Sequence, residues 1–133
     1  WTQPYSPGPL SKEECEFFYE HGWLIKERVL SEEELRPVCG AVDRLVDGLA
    51  ERLHAGGKIA DKHADKGFDE RLSALERDFH NASVLLHKDG VLPAEVAALW
   101  GGSTLMGIAK QLLGQEEGIL AHPVWNLRTK TPQ

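Results

Sequence analysis

The chain has 133 residues, 41% of them hydrophobic, and a formal charge of −6. That length suits one domain and that apolar share can build a core; the negative balance, with no basic run, zinc-finger spacing or RNA-binding motif, argues against a nucleic-acid surface. No apolar run is long enough to span a bilayer, no signal peptide is visible, and two casually spaced cysteines do not make a disulfide framework.

Cys15 and Cys39 each fall on the apolar side of an expected helix, so both are expected as reduced core residues of an intracellular, cytoplasmic protein. The first residue is Trp1 rather than Met, which reads as a trimmed start.

Residues 1–9 carry Pro4, Pro7 and Pro9 and cannot be helical; they read as an arm laid over the body or as a frayed terminus. Ser11 is a good N-cap, Glu13 and Glu14 suit the first turn, and Gly22 is a good stop, predicting a helix between. Cys15, Phe18 and Tyr19, joined by Phe17, give that helix one packed side. Trp23-Leu24-Ile25 then has strand character. His21 lies in the helix's last turn, where the dipole favours a cation, and is read as structural.

Ser31 and Glu34 form a capping box. The helix after it carries Leu35, Val38, Cys39, Val42, Leu45, Val46, Leu49 and Leu53 at three- and four-residue steps. Pro37 lies near its front, and Gly56-Gly57 ends it. Residues 58–67 mix charges with small residues and read as a surface loop. His63-Ala64-Asp65 matches a two-ligand H-x-D pattern, but three residues recur by chance and the stretch has no strand signal to hold metal ligands rigidly.

Phe68, Leu72, Leu75 and Phe79 predict a helix over 68–79, broken at Asn81-Ala82-Ser83; residues 84–87 are a short apolar run and residues 88–90 a turn. Pro93 fits the first position of a helix burying Val96, Ala97 and Trp100. Ser103 is expected to cap a last helix with Leu105, Ile108, Ala109, Leu112 and Leu113 inward, and Gly114 to end it. Residues 118–133 then read as a strand. Val124, Asn126, Arg128 and Lys130 fall on one side, and Trp125, Leu127 and Thr129 on the other. One side is apolar and aromatic; the other sets an amide, a guanidinium and an ammonium in a row.

The stretch from His122 to Pro132, together with Leu10 to Ile25 and Ser31-Glu32-Glu33-Glu34-Leu35, resembles the phytanoyl-CoA dioxygenase family of Fe(II)- and 2-oxoglutarate-dependent oxygenases. The resemblance covers most of the chain and lies in three modest motifs in the right order. In that family the strand precedes a Trp-His-x-Asp segment whose His and Asp bind iron, and neither that segment nor the later His and Arg of the family follows here. The resemblance therefore implies residues 1–133 as a single incomplete domain. This would be the mostly helical N-terminal part of an α+β, double-stranded β-helix oxygenase, ending in a barrel strand. It implies Fe(II) and 2-oxoglutarate as cofactors of the complete enzyme, with no metal ligand and no catalytic residue on this stretch. The remainder of the oxygenase domain and a small-molecule substrate would be its partners.

Asn126, Arg128 and Lys130 are the candidate co-substrate contacts, because a dianion calls for cations and hydrogen-bond donors. The alternative is that Arg128 and Lys130 pair with acidic residues on a barrel edge. In the family a further basic residue from the helical region can reach the co-substrate; Arg71, Arg77 and His87 all qualify. His54, His80 and His122 read as structural. Nucleophile elbows and Walker loops are absent. The implied reaction is hydroxylation of an unactivated C–H bond. The rival reading is a catalytically inactive helical interaction or scaffold module.

Overall fold

The computed structural model describes residues 5–87, 92–115, 118–120, 125 and 127–130. Among the described residues six helices follow one another: α1 (Lys12–His21), α2 (Glu32–Ala55), α3 (Phe68–Asp78), α4 (Ala82–His87), α5 (Ala94–Trp100) and α6 (Ser103–Leu113). The chain divides into two compact units. The first comprises Trp1–Leu35 and Ala94–His122, the second Arg36–Pro93 and Pro123–Gln133.

In the first unit α1 packs on α6, and α6 on α5. The start of α1 is fixed as the sequence predicts. The Glu14 amide donates to Ser11 Oγ at 3.2 Å, and the Ser11 amide donates back to Glu14 Oε2 at 2.8 Å. Gly22 ends the helix at φ 77°, a conformation that a Cβ makes costly, and its amide donates to the Phe18 carbonyl. The same capping geometry recurs at Ser31 and Glu34. Leu10, Cys15 and Val96 are buried in this unit, and so is one polar residue, Gln111.

The second unit has an apolar core of Val46, Leu49, Ala50, Leu53, Ile59, Leu75, Ala82 and Leu86, against which Leu45, Leu72, Phe79 and Leu127 pack. The helical stripe of α2 is thus confirmed in its later half, where Val46, Leu49 and Leu53 turn inward; Leu35 at its front is exposed. Its periphery is pinned by charges. Arg71 binds the Asp47 carboxylate and donates from Nε to the Lys62 carbonyl at 3.2 Å, and Lys62 reaches Glu51 at 2.8 Å.

Several expectations are corrected. The α+β reading, with strands of a double-stranded β-helix at Trp23–Ile25 and after Gly118, is overturned: among the described residues all regular structure is helical and none is strand. A strand is defined by a partner's ladder of hydrogen bonds, and alternation of side chains without that ladder leaves extended chain. Residues 84–87, read as a bare apolar run, belong to α4, which starts after Asn81 in a left-handed conformation at φ 72°. The cap of α6 is Gly102, with Ser103 the first helical residue. Ala97, Leu113 and Phe68, expected inward, are exposed. Cys39 is exposed as well, so only Cys15 is a core thiol.

Candidate functional site

Residues 125 and 127–130 form the segment on which the sequence places a site. Trp125, Leu127 and Thr129 are half-buried, while Arg128 and Lys130 are exposed. The two-sided pattern of an extended chain is therefore kept without a sheet. Leu127 is the anchor, packed on the apolar core of the second unit. Thr129 is held by α4. Its amide donates to His87 Nε2 at 2.9 Å, and its hydroxyl lies 3.1 Å from the same nitrogen. Trp125 Nε1 is buried without a hydrogen-bond partner among the described residues. Asn126, the third candidate contact, lies outside the described residues, as does His122.

Arg128 and Lys130 make no ion pair with another described residue, so the barrel-edge pairing with acids is not seen for them there. Two cations two residues apart on an extended chain are separated by roughly 7 Å along it, close enough to meet the two oxygens or the two ends of a dicarboxylate.

The three helical candidates for a further basic contact separate. Arg71 is committed to Asp47 and the Lys62 carbonyl. Arg77 is exposed on α3, beside an open groove with Lys66, Asp69, Glu70 and Ser73. His87 holds the terminal segment itself.

The two side chains of the H-x-D triplet turn to different partners. His63 Nε2 lies 2.7 Å from Asp78 Oδ2, its Nδ1 is 4.0 Å from Asp61, and Asp65 pairs instead with Lys66 at 3.8 Å. His63 has φ 50°, and its amide donates to Asp61 Oδ1 at 2.8 Å, a turn that fixes the loop onto α3. Among the described residues no group of three His, Cys, Asp or Glu side chains is placed to hold a metal ion.

Carboxylates elsewhere serve the helix ends. The Glu76 carboxyl is held below its ordinary range. Burial is the largest single influence and would raise it, but the Ser83 and Asn81 amides, at 2.8 and 2.7 Å, together with the Ser83 hydroxyl and His80, outweigh it. Glu14 is lowered by the Lys26 ammonium at 2.8 Å and by the Ser11 amide. His21 Nδ1 lies 3.0 Å from the Phe17 carbonyl and its ring stacks on Phe17, in keeping with the structural role expected of it.

The feature that sequence reasoning missed is Gln111. Its Oε1 accepts from the Leu10 amide at 2.8 Å, and its Nε2 donates to the carbonyls of Ser6 and Leu10 at 2.8 and 3.0 Å. Its own carbonyl accepts from the Tyr19 hydroxyl at 2.6 Å. A Cβ on Gly8 would lie 2.6 Å from Gln111 Cδ, and one on Gly107 would lie 2.9 Å from Pro9 Cδ, so the arm is seated closely on α6. A cavity of about 70 Å³ beneath it is bordered by Tyr5, Cys15, Tyr19 and Gln111. Burial pushes the Cys15 thiol up, with Glu14 and Glu16 adding to it, which disfavours the thiolate. No local pattern in the sequence marks Gln111.

No helix among the described residues is long and apolar enough to cross a membrane. Comparison of the chain with protein-family models, curated protein sequences and solved structures finds no match.

Proposed function

We propose that this chain is the N-terminal part of a phytanoyl-CoA dioxygenase-like enzyme, an Fe(II)- and 2-oxoglutarate-dependent oxygenase of the cytoplasm. It would hydroxylate an unactivated C–H bond of a small-molecule or acyl substrate. The chain's contribution is a helical support and a cationic edge, with Arg128, Lys130 and, from the sequence, Asn126 as candidate contacts to the co-substrate; the iron ligands belong to the remainder of the oxygenase. The observation that carries this reading is the terminal segment. Leu127 and Thr129 tie it down on one side while Arg128 and Lys130 stay exposed and without an ion pair among the described residues. Cations left in that state are available to a dianion. The three ordered sequence resemblances support the reading independently.

The test is succinate release by the full polypeptide carrying these residues, supplied with Fe(II), oxygen and 2-oxoglutarate. Release that falls in the Arg128→Ala, Lys130→Ala double variant, through a KM for 2-oxoglutarate raised about tenfold or more, supports it. Absence of succinate together with absence of calorimetric 2-oxoglutarate binding refutes it.

A second reading, a helical interaction module without catalysis, is favoured by one observation in the first unit. Trp23 and Ile25 are 54% and 76% exposed, two residues apart on chain without regular structure. Apolar groups so placed suit a partner surface. That reading predicts an assembly of the full polypeptide that Trp23→Ser with Ile25→Ser dissolves, in a protein that releases no succinate.

A further inference from the structure

We infer that His87 is a positioning residue whose neutral ring holds the terminal segment, so that protonation of the ring releases Thr129 and with it the presentation of Arg128 and Lys130.

The Thr129 amide decides which atom gives the proton. A backbone N–H is a donor at every pH, so the Thr129 amide at 2.9 Å requires a lone pair on His87 Nε2. That fixes the ring as neutral with its proton on Nδ1. The same tautomer lets the Thr129 hydroxyl, 3.1 Å from Nε2, donate to that lone pair as well. Two donors of one residue thus converge on one acceptor. When the ring is protonated, Nε2 becomes a donor and faces the amide donor with no acceptor between them. The hydroxyl can rotate to accept, but the amide cannot.

The surroundings work in the same direction. On α4 itself no other side chain titrates. On α3, which packs against α4, Glu76 spends its two oxygens on the Asn81 and Ser83 amides and Asp78 is paired with His63. Arg71 is paired with Asp47, while Arg77 and the carboxylates Asp69 and Glu70 are exposed. On the terminal segment the titrating groups are Arg128 and Lys130, both cations flanking Thr129. A protonated ring would therefore face a segment already positive, with the nearby carboxylates of α3 occupied elsewhere.

Neutral and protonated imidazole differ in the one property that matters here, whether Nε2 accepts or donates. The identity of the ligand that Arg128 and Lys130 meet rests on the oxygenase reading; the latch does not.

The experiment is residue-resolved amide exchange on the full polypeptide, expressed as protection relative to the intrinsic rate, at about pH 7.5 and about pH 5. The Thr129 amide is expected to lose protection on the order of fivefold at the lower pH. The Phe79 amide, whose acceptor is the Leu75 carbonyl, is expected to keep its protection and serves as the internal control. His87→Gln supplies a non-titrating acceptor, and its Thr129 protection is expected to be pH-independent, whereas His87→Phe removes the acceptor and leaves Thr129 fast at both pH values. Equal Thr129 protection at both pH values in the wild type, or pH-dependent protection persisting in His87→Gln, overturns the inference. Neither outcome depends on succinate release, so the failure of the oxygenase reading would be seen separately.

Discussion

In the second unit the buried residues of α2, α3 and α4 are apolar and meet one another directly. In the first, the one buried residue of α6 is an amide, and it meets backbone. The first arrangement is non-directional and tolerates small changes of shape; its strength scales with the area removed from water. The second is directional. Gln111 replaces water for three backbone groups of an arm that has no regular structure of its own to satisfy them. An irregular segment can be buried only when something supplies its hydrogen bonds, and here one side chain does so.

The comparison is tested most strongly at its two centres. Leu75→Ala, at a fully buried position, is expected to cost about 3 kcal/mol through lost burial and a residual cavity, read as a lowered denaturation midpoint of the full polypeptide. Gln111→Leu is expected to cost about 2 kcal/mol although it makes α6 more apolar, because the Leu10 amide and two carbonyls lose their partner inside the fold. If Gln111→Leu instead stabilises the protein, the arm is held by apolar contact and the distinction between the units fails.

An intermediate effect is expected where charge meets backbone in the second unit. The lowered Glu76 carboxyl binds its proton less readily folded than unfolded. Its contribution is therefore complete above the ordinary glutamate range and is lost as pH falls through the lower folded value. Glu76→Gln is expected to cost about 1 kcal/mol near neutrality and to flatten the acid limb of the stability profile. An unchanged acid limb would show that the amide contacts at Asn81 and Ser83 do not hold α4 in place.

How much of this was legible follows the same division. The N-cap at Ser11, the capping box at Ser31 and the stops at Gly22 and Gly114 were readable because each is a local interaction spanning four or five residues. The later half of the α2 stripe was readable because periodicity reports one buried face. Gln111 was not, since its partners lie 101 and 105 residues away and no local pattern encodes them. His87 was visible only as one of three basic candidates; its link to Thr129 spans 42 residues. The strand expectations failed for a related reason. Alternation at residues 127–130 was read correctly, but a ladder is a property of two segments, and one segment's pattern cannot supply the other.

The smallest expected effect separates two interactions at one end of α1. Ser11→Ala removes an acceptor for the Glu14 amide and is expected to cost about 1 kcal/mol. Lys12 and Glu16 are 3.6 Å apart but both are about two-thirds exposed, so water and salt screen the pair and its loss is expected to cost no more than about 0.3 kcal/mol. Thermal melts of Ser11→Ala and Lys12→Ala at low and high salt check this. The Lys12→Ala difference should vanish at high salt, and the Ser11→Ala difference should persist, because the orphan amide at a helix start needs an acceptor at any ionic strength. Equal effects from the two changes would mean that α1 is held by its charge pattern rather than by its cap, and that the first unit owes less to directional backbone bonding than the Gln111 contacts require.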